Sequence, residues 1–223
     1  MPRLGIITGL ESEARCFARW QGDCQLDIAR SGADSARASI LAQAMASSGC
    51  DGLVSFGLAG GLHPDLHCGD LVLPETVICG SAVRPVDEGW RDRLFRRLGT
   101  EFNIMGGAIA GSYTLAGSPE EKAALRRETG AIAVDMESRA VAGAGLPFVV
   151  VRVIADTHDK AIPDWATNVV GADGKVFPVA VVKAIFANSG SISRLFGMAT
   201  ENRKATTVLR RVATLVQGDF GFA

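Results

Sequence analysis

The stretch Phe148 to Ala155 (Phe-Val-Val-Val-Arg-Val-Ile-Ala) limits the fold more than any other part of the chain. It is apolar throughout except at Arg152, rich in β-branched residues, and opened by Pro147. A strand with one wet face alternates polar and apolar residues, whereas a continuous apolar run is covered on both faces. That is the mark of a parallel sheet between layers of helices. The run ends at Asp156, which places an acid at the carboxyl end of a central strand. In open α/β sheets that edge is where ligands bind. A turn or helix cap is the plainer reading of Asp156, and sequence alone leaves both open.

Two other segments share this design. Leu4 to Thr8 is a short apolar run that turns at Gly9 into a helical stretch, Glu11 to Trp20, with Glu13 just past the turn. A first-turn acid complementing the helix dipole also accounts for Glu13. Ala131 to Val134 ends in Asp135 and Glu137 with Met136 between them, before a small-residue helix from Ser138 to Gly145. A carboxylate beside a methionine suits a sugar, because the acid accepts hydroxyl protons and the thioether packs on the ring. Asp135 as a cap and Glu137 as a first-turn acid fit the same residues.

The remaining segments read as alternating strands and helices. Leu26 to Arg30 is a strand closed by Ser31-Gly32, and Asp34 caps a helix from Ser35 to Ser48. Gly52 to Phe56 is a strand running into Gly57-Leu58-Ala59-Gly60-Gly61-Leu62, read as a glycine loop that presents backbone N–H groups to a ligand. Its spacing is neither that of a dinucleotide fingerprint nor that of a Walker loop. Leu71 to Val77 is a further strand, Asp87 to Leu98 a charged helix with a solvated face, and Gly107 to Gly111 a short strand. Ser118-Pro119 starts another helix. A loop from Thr157 to Gly174 precedes helical segments at 179–187, 191–198 and 200–216. Phe177, Ile185, Phe186, Leu195, Phe196 and Met198 there suit a core, or else a surface for a greasy ligand or a membrane. With no repeats or linkers, the expectation is one domain over 1–223, with a C-terminal helical segment at 178–217.

Composition excludes several classes. A net charge of −1 argues against a general nucleic-acid binder. No apolar run reaches the roughly 20 residues that span a bilayer, though peripheral membrane contact stays open. Cys16, Cys24, Cys50, Cys68 and Cys79 form no CxxC pair, and no signal-peptide pattern opens the chain, so reduced thiols and a cytoplasmic location are expected. His63 and His67 lack a third and fourth ligand at a recognisable spacing. They read as an exposed turn, with no metal and no cofactor called for.

Several motifs occur in a recognisable order. They are Gly5-Ile6-Ile7 with Glu11-Ser12-Glu13, Gly57 to Leu62, Gly69-Asp70-Leu71-Val72, Ala133 to Ser138, and Val151 to Asp156. Together they resemble the purine nucleoside phosphorylase / methylthioadenosine nucleosidase superfamily. Gly9 to Arg15, Phe56 to Leu62 followed by Pro64, and the terminal Gly218-Asp219-Phe220-Gly221-Phe222 look like its hopanoid-associated branch, which is thought to remove adenine from adenosylhopane. The resemblance implies an α/β fold of three layers, α/β/α, around a mixed and partly barrel-like sheet. It implies a small-molecule nucleoside substrate with a lipid tail, no nucleic acid, a homodimer or larger assembly, and a place at the inner face of the membrane.

The resemblance also assigns roles. Asp156 matches the acid that protonates purine N7, and Glu13 the position that orients an attacking water. Glu137 matches the holder of the ribose hydroxyls, with Asp135 beside it and Met136 against the sugar. Gly57, Leu58, Ala59 and Gly60 line the sugar and nucleophile pocket, and Leu115 stands near where an aromatic often stacks on the base. Leu58 replaces a usual Ser or Thr, and Ala155 a common Ser. Phosphate as nucleophile needs cationic donors, for which Arg15, Arg30 and Arg84 are the candidates. The Glu13 carboxylate repels phosphate by about 4 kcal/mol at 4 Å and an effective dielectric of 20, which favours water. The alternatives are a general purine nucleoside phosphorylase, a methylthioadenosine/adenosylhomocysteine nucleosidase, and a non-catalytic nucleoside-binding protein.

Overall fold

The computed structural model describes residues 1–162 and 192–222, the last segment with side chains from Arg203 onward. Four parallel strands form its centre. β1 (Arg3–Thr8) lies between β2 (Gln25–Arg30) and β3 (Gly52–Gly61), and β3 continues in parallel to β10 (Phe148–Asp156). The smaller strands are β4 (Leu71–Val72), β5 (Thr76–Cys79), β6 (Ala82–Pro85), β7 (Ile104–Met105), β8 (Ala108–Gly111) and β9 (Ala133–Asp135). They complete a mixed ten-stranded sheet in the order β6-β5-β8-β9-β3-β10-β4-β7, with β1 and β2 attached to β3 off that path.

Alternation along β10 explains the layers. Val149, Val151 and Val153 face one side with Leu4, Ile6, Val54 and Phe56. They pack against Trp90, Leu94 and Leu98 of α3 (Glu88–Leu98) and Leu209, Val212 and Ala213 of the last helix, α6 (Ile192–Leu215). Phe148, Val150 and Ile154 face the other side with Ile7 and Leu53. Their cover is Ala38, Ala42 and Met45 of α2 (Ser35–Ser47) and Ala140 and Val141 of α5 (Ser138–Ala142). The small residues of α2 and α5 let both helices sit close to the sheet. The result is the expected three-layer α/β fold with helices on both faces.

Several boundaries differ from the sequence reading. Gly57 to Gly61 is no loop but the second half of β3, since it pairs with β10 and β9. The expected strand from Leu71 to Val77 splits into β4 and β5, because Pro74 has no N–H for a ladder. The stretch from Glu11 to Trp20 is a single turn, α1 (Glu11–Ala14), followed by a 3₁₀ turn, Arg15–Phe17. The charged helix α3 buries Trp90, Leu94 and Leu98 at helical spacing, and its charges occupy the other faces. The two helices expected at 191–198 and 200–216 are one continuous α6. β6 and β7 are too short to leave a periodic signal. The expected segment at 179–187, with Phe177, Ile185 and Phe186, lies outside the described residues, and the side chains of Leu195, Phe196 and Met198 do too.

Two expected caps are present. The Asp34 carboxylate accepts N–H groups of Ala36 and Arg37 at the start of α2. Ser118 and Glu121 form a reciprocal capping box at α4 (Pro119–Thr129), with Pro119 in its first position. Among the described residues no helix is long and apolar enough to cross a membrane.

Candidate active site

The site begins at a fork in the sheet. One edge of β3 pairs with β1 as far as Ser55, and with β9 only from Gly60 onward. Between these two partners, that edge of β3 needs hydrogen-bond partners from elsewhere. Side chains supply them. Leu58 N–H donates to Glu13 Oε1 at 2.8 Å, and Leu58 C=O accepts from Arg152 Nη1 at 3.1 Å. Gly57 is required by this close approach. A Cβ at that position would stand 2.5 Å from Arg152 Nη1 and 2.6 Å from Glu13 Oε1.

Glu13 lies in the first turn of α1 and is 3% exposed. Its second oxygen accepts the N–H groups of Gly9 and Leu10, each at 2.8 Å, so the turn after β1 folds around the carboxylate. Arg152 is fully buried on β10, on the face that carries Val150 and Ile154. Its Nε meets Asp135 Oδ2 at 2.6 Å, and its Nη2 meets Glu137 Oε2 at 3.1 Å and Ser55 Oγ at 2.6 Å. Glu137 Oε1 accepts from Ser31 Oγ at 2.8 Å. Asp135 also accepts the N–H and the hydroxyl of Ser138, so it helps to start α5 while it holds Arg152. The capping contact expected of Asp135 is therefore present, and the same carboxylate also pairs with Arg152.

Three buried carboxyl groups surround one guanidinium. Burial is the main force raising Glu13 from its ordinary 4.5 to about 7; Arg152 opposes the rise and the Glu137 charge adds to it. Glu137 is raised mainly by burial, and the Asp135 charge adds against Arg152 and Ser31. Burial also works against the Arg152 cation, but the fields of Asp135, Glu137 and Glu13 outweigh it and raise Arg152 above its ordinary value. A carboxyl group poised near neutral pH is suited to take a proton from water.

A second pole stands at the end of β10. The pairing of β10 with β3 shifts register between Ile154 and Asp156, which makes Ala155 an extra residue in the ladder. Such bulges re-aim side chains beside active sites. Asp156 lines a small cleft with Gly60, Leu115, Ala116, Val134, Asp135, Met136 and Ile162. Its Oδ2 pairs with the ammonium of Lys122, which is fully buried on α4. Asp135 belongs to both poles, because it lines the cleft and binds Arg152.

The structure thus gathers Glu13, Gly57, Leu58, Asp135 and Glu137 around Arg152, and Asp156, Met136, Gly60 and Leu115 around the cleft. Ala59 is buried in β3 between the two groups. The three arginines are placed differently. Arg15 and Arg30 both turn to Glu11, at 2.5 and 3.6 Å, and Arg84 is exposed on β6 at the end of the strand order. His63 and His67 sit near Asp65 and Asp70, at 3.8 and 3.6 Å.

Sequence reasoning missed Arg152, Ser31 and Lys122 as parts of the site. The signal for Arg152 was available, because a charge inside a doubly covered strand must be paired. Lys122 gave none, since only the fold shows that α4 turns it inward. Ser31 gave none, since its partner is 106 positions away.

Fold and site together define an α/β enzyme whose buried acids gather at two neighbouring poles, one around Arg152 and one at a cleft beyond the end of β10. The description of the phosphorylase superfamily matches residues 13–184, and the chain belongs to that superfamily as a glycosidic-bond-cleaving enzyme. Among curated proteins no match is found. Solved structures share the fold at low identity. The futalosine hydrolase of Helicobacter pylori superposes with a TM-score of 0.69 and 15% identity, covering 96% of each chain. A mutant of the methylthioadenosine nucleosidase of the same organism, with 5′-methylthioadenosine in its active site, gives 0.67 and 17%, covering 96% of this chain and 99% of that one. The 5′-methylthioadenosine/S-adenosylhomocysteine nucleosidase of S. pneumoniae, with a transition-state inhibitor, gives 0.67 and 16%, covering 96% and 99%.

Proposed function

We propose that the chain hydrolyses the N-glycosidic bond of a purine nucleoside, and that its substrate is an adenosine with a lipid tail on the 5′ carbon, as in adenosylhopane. The observation that carries hydrolysis is the buried cluster itself, with three carboxyl groups around one guanidinium already bound to two of them. A phosphate dianion gains little there. Arg15 and Arg30 are engaged by Glu11, and Arg84 is exposed on β6. Water suits the site better.

In this reading Glu137 holds the ribose hydroxyls, oriented by Ser31 and Arg152, and Met136 packs on the sugar. The Glu13 carboxylate takes a proton from water as the water oxygen bonds to the anomeric carbon. The bond from that carbon to the purine breaks, and its electron pair goes to the base. Asp156 gives a proton to N7, which makes the base a better leaving group. General acid help of this kind is worth about 10²–10⁴-fold. The lipid tail rests on the likeness of the Gly9–Arg15 and Gly218–Phe222 segments to the hopanoid-associated branch. The same likeness supports a homodimer and a cytoplasmic enzyme touching the inner face of the membrane.

The test is adenine release from adenosylhopane, 5′-methylthioadenosine and adenosine, with and without phosphate. The expected result is release without phosphate, fastest from the lipid-tailed nucleoside. Strict phosphate dependence overturns hydrolysis. Far faster cleavage of 5′-methylthioadenosine overturns the lipid part alone.

A further inference from the structure

Lys122 stands where α4 presents its inner face to the sheet, and it is fully buried. An ammonium has three N–H donors. All three are used here, on Asp156 Oδ2, on the carbonyl of Thr157 at 2.8 Å and on the carbonyl of Lys160 at 2.9 Å. An apolar side chain at this place would pack α4 without the desolvation that a buried cation requires. The reason for a lysine therefore lies in what it holds.

We propose that Lys122 is the positioning residue for departure of the base. It fixes Asp156 toward the cleft and stabilises the charge that Asp156 acquires when it gives up its proton. This rests on the hydrolase reading above and adds a residue to it. In the proton transfer the Asp156 O–H bond breaks, an N7–H bond forms, and the electron pair stays on the carboxylate. Lys122 transfers no proton; it already donates to Oδ2, so the new negative charge forms against a fixed cation. Dipoles and charges set in place beforehand are most effective in sites shielded from water. The other acid lining the cleft, Asp135, is engaged by Arg152, so the two poles have separate cations.

The tripod has a second effect. By binding the carbonyls of Thr157 and Lys160, Lys122 ties down the segment that follows β10. The same segment is held at Ile162, whose N–H donates to Gly117 C=O at 2.7 Å, just before α4. Ile162, Leu115 and Ala116 all line the cleft. One helix thus fixes both the acid and the wall beside it.

The experiment compares wild type, Lys122→Met and Lys122→Arg on whichever of adenosylhopane and 5′-methylthioadenosine wild type cleaves faster, and on the N7-methylated counterparts of both, whose base leaves without protonation. For Lys122→Met the expected result on the ordinary nucleoside is a fall in kcat of about 10²-fold, the low end of general-acid effects, with KM nearly unchanged. On the N7-methylated nucleoside kcat stays within a fewfold of wild type, and Lys122→Arg recovers part of the loss. Far-UV circular dichroism confirms that each variant is folded, and Lys122→Gln replaces Lys122→Met in the comparison if the latter is not. Equal loss on both nucleosides, or no loss on either, overturns the proposal. A wild type that cleaves only the N7-methylated nucleoside overturns it while leaving glycosidic cleavage intact. A wild type that cleaves neither overturns the hydrolase reading and this one with it.

Discussion

Glu13→Gln isolates the electrostatic cost of the site. In the folded chain Glu13 holds its proton up to about pH 7, against an ordinary value of 4.5, chiefly because it is buried. The folded state therefore binds this proton more tightly than the unfolded chain. Its contribution to stability is fully present below pH 4.5, is lost as pH rises toward 7, and is level above that. At about 1.4 kcal/mol per pH unit the difference comes to about 3 kcal/mol. Glutamine cannot titrate, so the variant lacks this slope. It also directs an amide NH₂ at backbone N–H groups of Gly9 and Leu10, or of Leu58, a penalty of about 1–3 kcal/mol that does not vary with pH. The assay is urea unfolding of both proteins at pH 5, 6, 7 and 8. Relative to wild type, the variant should gain about 2.5 kcal/mol between pH 5 and pH 8 while losing its activity. The neighbours that face Glu13, Glu137 and Arg152, are present in both proteins and largely cancel in the comparison. Parallel stability curves would refute the reasoning, because they would mean that Glu13 titrates alike in the folded and unfolded chain.

The other perturbations concern its neighbours. Arg152→Met leaves Asp135 and Glu137 buried without their cation and should destabilise the fold by about 3–5 kcal/mol in chemical unfolding at pH 7; a loss under 1 kcal/mol would contradict the pairing described. Gly57→Ala places a methyl group within 2.6 Å of both Arg152 and Glu13. It should lower kcat by more than tenfold, with a stability loss of about 1–3 kcal/mol from overpacking, and unchanged kinetics would show that the fork is looser than its geometry.

The sequence showed the layers and the strand ends well, for a physical reason. The apolar run of β10 and the capped starts of α2 and α4 are local patterns, and local chemistry decides them. Glu13, Glu137 and Asp156 were legible as acids at strand ends because position along an element is also local. The partners of those acids were not. Arg152 appeared as a flaw in a strand, and its meaning depends on Asp135 and Glu137 arriving from another part of the chain. Gly57 to Gly61 appeared as a loop because glycine is a poor strand former. It is a strand because β10 pairs along one side of it, while side chains reach its other edge. Lys122 reads from sequence like any surface lysine, since only the fold reveals that α4 turns it inward.

Arg152 and Asp156 lie on the same strand, four residues apart, with the bulge at Ala155 between them. Fully extended, that interval is about 13 Å; the bulge shortens it and turns its far end. β10 therefore works as a gauge that sets the distance and angle between the cluster around Arg152 and the Asp156 carboxyl group, which in the proposed function are the ends that meet the sugar and the base. Loops elsewhere can gain or lose residues without changing that setting. One residue more or less within this interval would reset the gauge, and a molecule of nucleoside size would no longer touch both ends at once.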